Sequence, residues 1–287
     1  MKIAVLGSSG QLGSDFIRIF AEAGRYEVVP LDHTQIEVTN QESVRRTLAD
    51  VCPNIVVNCA AFHRVDECED RPEEAFRVNT LGALHVARSC SNLNALCVYI
   101  STDYVFDGEK GEPYTEKDAP CPINVYGTSK LAGEYLVRNA CPQCLIVRVA
   151  SLFGKFGARG KGGNFVKTIL AKARAGEPLR VVNDIRISPT YTRDAARALE
   201  CLIRQETTGL FHLTNSGACT WYEFARKALD LVGLDNLVEP VSSKDHSYRA
   251  RRPRDSSFRS IKLKGYMKDC LRPWQEALED FLKGDET

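Results

Sequence analysis

Long apolar runs are missing from this chain of 287 residues. None approaches the roughly 18 residues that a membrane span requires, so no membrane role is expected. An excess of one charge is missing as well. Thirty-eight Lys and Arg against 37 Asp and Glu leave a formal net charge of +1, which argues against nucleic acid or an anionic membrane as the main partner. The five histidines show no metal-ligand spacing, and only two tryptophans are present. Nothing resembling a signal peptide precedes the first strand, which predicts a cytoplasmic protein. A disulfide framework is not expected either, because the 11 cysteines are odd in number and scattered from Cys52 to Cys270. The one close pair, Cys141 and Cys144, has no second pair at zinc-site spacing, so most cysteines read as reduced core residues.

What is present begins at the N-terminus. Ile3 to Leu6 form a short apolar run, followed by GSSGQLG and a helical pattern carrying Leu12, Phe16, Ile19 and Phe20 on one side. Gly7, Gly10 and Gly13 fall at the strand-to-helix turn. There a tight turn and the close approach of a pyrophosphate both exclude a Cβ, and the helix N-terminus offers free amides to phosphate. This context predicts dinucleotide binding. A second strand, Tyr26 to Leu31, ends in Asp32, about twenty residues past the loop, where a carboxylate meets an adenosine ribose. An Asp there should repel a 2′-phosphate, so NADH is expected at least to be tolerated beside NADPH.

Strands and helices then alternate. Strands are expected at Asn54–Asn58, Leu96–Ile100 and Leu145–Val149, and helices at Glu73–Cys90 and Tyr126–Asn139. The alternation implies an α/β fold with a Rossmann-like, doubly wound parallel sheet. Residues 1–150 are expected to form the nucleotide-binding part, with sheet elements returning at about 179–213. Residues 151–178 and 214–287 are left for a smaller α/β substrate-binding region. Ligands on such sheets gather at the carboxyl ends of the strands, where the glycine loop, the turn after Asn58 and Thr102 all fall.

The segment from Ser101 to Lys130 carries the chemistry. It opens with STDYVFDG and closes with YGTSK. Tyr126 and Lys130 stand four apart on a predicted helix and so share a face. A lysine ammonium beside a phenol favours the phenolate and should lower a pKa that is ordinarily about 10. Such a tyrosine can exchange a proton with a reacting oxygen.

Taken together, these motifs resemble the extended short-chain dehydrogenase/reductases, and within them the dTDP-4-dehydrorhamnose reductase family. The resemblance covers nearly the whole chain: GSSGQLG, NCAAFHRVDECE (Asn58 to Glu69), STDYVFDG, YGTSKLAGE, SPTYTRDAA (Ser188 to Ala196), FHLTNSG, TWYEFA and Arg252-Pro253. It implies a catalytic set of Thr102, Tyr126 and Lys130. It also implies a pyrophosphate loop of Gly7, Gly10, Gln11, Leu12 and Gly13, and a turn beside the cofactor formed by Ala60, Ala61 and Phe62. Asp103 and Tyr104 match residues near the sugar. The implied reaction is NAD(P)H-dependent reduction of the C4 ketone of dTDP-4-dehydro-β-L-rhamnose to dTDP-β-L-rhamnose, with Tyr126 as proton donor. The resemblance also allows a homodimer. Some relatives dimerise around Mg2+ held by acidic residues; Asp15 is the one candidate here, and the sequence lends it no support.

Three features depart from the family or stand outside it. Leu152 occupies a position where many relatives carry a Trp associated with the sugar. GKGGN (Gly160 to Asn164) suggests a mobile loop before a helix from Phe165 to Arg174. The basic run from Arg249 to Lys264 reads mainly as a solvated loop, with one or two arginines suited to a diphosphate. Trp221 and Trp274 read as core or interface residues. The same motifs leave open a nucleotide-sugar epimerase, another ketoreductase, or a non-catalytic NADP-binding regulatory subunit similar to that of methionine adenosyltransferase.

Overall fold

The computed structural model describes residues 1–156, 163–267 and 271–285. The first half runs β1 (Lys2–Leu6), α1 (Gln11–Glu22), β2 (Glu27–Leu31), α2 (Gln41–Val51), β3 (Ile55–Asn58), α3 (Val65–Asp70), α4 (Pro72–Phe76), a π-helical turn at Arg77–Gly82, α5 (Ala83–Asn92), β4 (Leu96–Thr102), α6 (Val125–Ala140) and β5 (Cys144–Val149). The second half runs β6 (Leu152–Phe153), α7 (Phe165–Arg174), β7 (Leu179–Val182), β8 (Arg186–Ile187), β9 (Thr190–Tyr191), α8 (Thr192–Arg204), β10 (Gly209–His212), β11 (Cys219–Thr220), α9 (Trp221–Leu231), β12 (Val238–Val241) and α10 (Trp274–Asp285).

Six parallel strands form the main sheet in the order β10-β5-β4-β3-β1-β2. The period-2 alternation of strand side chains explains how it is covered. Ile3, Val5, Ile55, Val57, Val98, Leu145 and Val147 face α1 and α8, where Phe16 and Phe20 stack at 5.8 Å. Ala4, Leu6, Val56, Tyr99 and Ile146 face the opposite way, toward α2, α5 and α6. A strand buried on both faces needs apolar residues in succession, and the sequence of β3 (IVVN) supplies them. The chain leaves β1 toward β2 on one side and enters β3 on the other. A crevice therefore opens at the carboxyl end of β1.

The second half builds its own core around Phe153, Tyr191, Phe224 and Phe281, with ring centroids 5.4 to 5.6 Å from Phe153. Three small pairings frame it: β7 with β12, β8 with β11, and β6 with β9. The return of residues 179–213 to the main sheet is narrower than expected. Only β10 joins that sheet, while Leu179, Val181 and Val182 of β7 pack into the second core. The helix expected at Glu73–Cys90 is also interrupted. Its middle widens into the π-helical turn, where Asn79 and Thr80 direct their side chains to Phe62 and Ser129.

Other expectations are met closely. The helix expected from Phe165 to Arg174 is α7, capped by Asn164, whose side chain accepts from the Lys167 N–H at 3.0 Å. Residues 160–162 of the GKGGN loop and Cys270 lie outside the described residues. Among the described residues ten cysteines are free thiols, and no helix is long and apolar enough to cross a membrane.

Candidate active site

Gly7 begins the site. It sits at φ +71° after β1, its N–H donates to the Leu31 carbonyl at 3.0 Å, and its own carbonyl accepts from the Gly10 N–H at 3.0 Å. A Cβ on Gly13 would overlap that same Gly7 carbonyl, so α1 can approach the strand this closely only through glycine. Gly10 caps α1 without a side-chain bond, which leaves the amides of the first turn open to a ligand. Gln11 Oε1 is buried here without a hydrogen-bond partner among the described residues. Crowded glycines and open amides together fit a dinucleotide pyrophosphate.

Asp32 lies at the end of β2. Its carboxylate accepts from the Thr34 N–H at 2.8 Å and the Thr34 hydroxyl at 2.5 Å, bonds that hold its pKa below the ordinary value. The turn Ala60–Phe62 is fixed from two sides. Asn58 Oδ1 accepts from the Ala60 N–H at 3.1 Å, and Asn79 both accepts from the Phe62 N–H and donates to the Phe62 carbonyl. Asn79 is fully buried and also donates to Ser129 on α6, which ties the turn to the helix that carries Tyr126.

Asn124 places that helix. Its side chain accepts from the Gly127 N–H at 2.7 Å, and Glu69 accepts from the Val125 N–H at 2.8 Å. Tyr126 and Lys130 then point to one side, as their spacing requires. Lys130 is 2% exposed, with its ammonium 4.1 Å from the centre of the Tyr99 ring. Burial pushes its pKa down to about 7, and Glu134 one turn further on only partly opposes this. Glu134 is itself held in a buried bidentate pair with Arg148 and accepts from the Ser101 hydroxyl at 2.5 Å.

The Tyr126 phenol differs from expectation in the direction of its shift. Burial raises its pKa above the ordinary value, with a contribution in the same direction from Asp103, and a hydrogen bond with Thr102 only partly offsets them. Desolvation outweighs that bond, and the Tyr104 ring meets the Tyr126 ring edge-on at 5.9 Å. Thr102 ends β4. It donates to Asp103 Oδ1 at 3.0 Å and accepts from the Tyr104 N–H at 3.2 Å.

The residues expected to serve catalysis, the cofactor and the sugar all line one cleft of about 1010 Å³. An adjoining cleft of about 610 Å³ shares Arg64, Val65, Tyr104, Ser151, Phe165 and Trp221 with the first. Trp221 is therefore not a plain core residue. It forms part of the wall of both clefts, packed on Phe165 at 4.6 Å, whereas Trp274 is buried in the second core. Leu152 lines the first cleft, and Ser151 beside it holds φ +40°, a conformation a non-glycine residue rarely adopts.

Two positions of the basic run have carboxylate partners, and of these only Arg252 is largely withdrawn from solvent, while Arg249 stays on the expected solvated face. Arg252 forms a two-pronged pair with Asp66 at 2.9 Å and lies 4.0 Å over the Tyr248 ring, and Arg249 pairs with Asp70. Arg252 and Tyr248 border the adjoining cleft. No spacing in the sequence marks these residues, because their partners lie nearly two hundred positions away. Asp15 is buried, accepts from Thr192 at 2.5 Å and faces Arg18 at 3.3 Å. No group of three or more potential metal ligands occurs among the described residues.

Comparison with known proteins extends this picture. The family model described as the RmlD substrate binding domain matches residues 1–286. A spore coat polysaccharide biosynthesis protein, SpsK of Bacillus subtilis, is 38% identical over 98% of this chain and 97% of its own length. The dTDP-4-dehydrorhamnose reductase of Aggregatibacter actinomycetemcomitans is 34% identical, covering 97% of each. The crystal structure of the Bacillus anthracis dTDP-4-dehydrorhamnose reductase, in complex with NADP, superimposes with a TM-score of 0.93 at 35% identity, covering 99% of each chain.

Proposed function

We propose, because the chain belongs to the RmlD substrate binding domain family, that it is an NADPH-dependent oxidoreductase of nucleotide-sugar synthesis. Its substrate is dTDP-4-dehydro-β-L-rhamnose and its product dTDP-β-L-rhamnose. NADH is the alternative hydride donor. The protein acts in the cytoplasm. Residues 1–150 with α8 and β10 hold the dinucleotide, and 151–178 with 214–287 hold the sugar nucleotide.

One observation carries this reading: Thr102, Tyr126 and Lys130 share a cleft with the glycine loop, and that cleft continues under the C-terminal wall. The bound dinucleotide supplies hydride. The glycine loop, Gln11 and Leu12 hold its pyrophosphate, and Asp32 takes a ribose. Ala60 to Phe62 run alongside it. Charge develops on the ketone oxygen as C4 is reduced, and preorganised donors are worth most there. Tyr126 gives that oxygen its proton. The phenol, held above its ordinary pKa in the free protein, begins the step protonated. Thr102 supplies the second hydrogen bond. Lys130, fixed over Tyr99, holds the nicotinamide ribose and supports charge on Tyr126 as the proton leaves. Tyr104 and Trp221 cover the sugar side and exclude water.

The test follows the absorbance of the reduced nicotinamide with a panel of nucleotide 4-keto sugars, using NADPH and NADH in turn. Consumption is expected with the dTDP-4-keto substrate. Redox-neutral isomerisation, or no turnover with any member, refutes the assignment.

A further inference from the structure

Thr102 has one hydroxyl proton and two lone pairs. In the structure that proton is directed to Asp103 Oδ1 at 3.0 Å, one lone pair accepts from the Tyr104 N–H, and the Tyr126 phenol is the remaining neighbour of the hydroxyl. A hydroxyl in this state has no proton left for a ketone oxygen. We propose that Asp103 is a positioning residue that competes with the substrate ketone for the single proton of Thr102, and releases that proton when its own carboxyl group is protonated. The inference rests on the reading above, in which Thr102 bonds the ketone.

Asp103 is placed for this and for little else. It is 4% exposed, and its second oxygen accepts from the Ser256 hydroxyl at 2.6 Å. Ser256 is held in turn by its N–H bond to the Arg186 carbonyl at 3.1 Å. Each carboxylate oxygen thus accepts one hydroxyl from the protein. Burial, only partly countered by the two hydroxyls, pushes its pKa up to about 6. Once protonated, Asp103 donates to Thr102 Oγ1. Thr102 then accepts from Asp103 and from the Tyr104 N–H, and its proton turns to the ketone. The one bond formed in this switch is the carboxyl O–H of Asp103, its proton taken from solvent; the Thr102 O–H only turns.

Several titratable or charged groups surround Asp103. Tyr104 on its own turn and Tyr126 on α6 interact with it directly, and Lys130 lines the same cleft, while Arg252 and Asp66 act on Tyr104. Lys130, pushed down to about 7, is the other group able to shape activity near neutrality. The 2′-phosphate of NADPH titrates in this range as well, so variants are needed to separate the three.

The experiment measures kcat/KM for reduction of the dTDP-4-keto sugar from pH 5 to 9, alongside a carbon-13 NMR titration of the free protein. Wild type should lose activity as pH rises through the Asp103 titration, by on the order of tenfold to a hundredfold, up to the lower end for one oxyanion donor. Asp103→Asn keeps a donor toward Thr102 at every pH, so this limb should vanish, together with the carboxyl signal titrating near 6. Ser256→Ala removes a bond that stabilises the carboxylate, so limb and signal should both move to higher pH. A limb unchanged in Asp103→Asn, or an Asp103 signal unmoved in Ser256→Ala, overturns the inference while leaving the reductase assignment intact. Failure of wild type to consume NADPH with any 4-keto sugar overturns both.

Discussion

The two walls of the cleft are assembled by different means. On the side of the glycine loop several bonds are local and each starts from a main-chain N–H: Gly10 to the Gly7 carbonyl, Thr34 to the Asp32 carboxylate, Ala60 to the Asn58 side chain. On the sugar side they join distant segments through side chains. Arg252 reaches Asp66, Asn124 donates to the Arg251 carbonyl at 2.8 Å, and Ser256 reaches Asp103. A local backbone device leaves a compact trace in the sequence, whereas a pair spanning most of the chain leaves none. One wall can therefore hold a constant cofactor while the other varies with substrate, because changing a pair such as Arg252–Asp66 does not disturb a turn.

The sharpest way to break this division is Tyr126→Phe. It should lower kcat by about 10²- to 10⁴-fold, the span for a general acid, while NADPH binding changes little. Fluorescence titration beside steady-state kinetics separates the two, and near-wild-type turnover sinks the assigned role. Gly13→Ala strikes the opposite wall. Its methyl group overlaps the Gly7 carbonyl, so a stability loss of about 1–3 kcal/mol is expected, with weaker NADPH binding. Thermal unfolding with and without NADPH reads both effects, and an unchanged dissociation constant would refute the cradle.

Arg252→Ala sharpens the comparison from the sugar side. It should raise KM for the sugar nucleotide by about tenfold, as for the loss of one bidentate anchor, and leave NADPH binding alone. Its pH dependence has a definite sign. Asp66 is held below its ordinary value, first by the Arg252 bond. Its stabilisation is therefore present above the unfolded value and is lost as pH falls through the lowered one. Wild type and Arg252→Ala should differ in thermal stability near neutrality and converge in acid. The smallest effect is expected from Lys130→Met on the free protein. A buried lysine pushed down to about 7 makes the fold gain stability as pH rises from there toward its unfolded value near 10.5. The Met variant should lose that slope and melt a few degrees higher at pH 7, although its catalysis suffers. A slope that persists assigns it to another group.

The legible part of the molecule follows the same division. Helical spacing placed Tyr126 and Lys130 on one face, and periodicity gave α7 its observed ends. Glycine spacing after an apolar run located the phosphate turn. Three things escaped. The π-helical turn at Arg77–Gly82 has no periodic signature, since one widened turn leaves the apolar stripe nearly intact. Trp221 carries an amphipathic context compatible with core and cleft alike, and only the position of Phe165 decides between them. The Tyr126 shift runs opposite to the sequence expectation because adjacency to Lys130 is visible in a sequence and desolvation within the folded cleft is not.

The Arg252–Asp66 pair spans 186 positions of the chain and the Ser256–Asp103 bond spans 153. Loop closure over such distances comes late, after local elements have formed. During synthesis the half that carries the glycine loop closes only once α8 and β10 have been made, and the wall that carries Arg252 and Ser256 closes later still. On the proposed reading, competence to reduce a sugar would arrive only with the last few dozen residues.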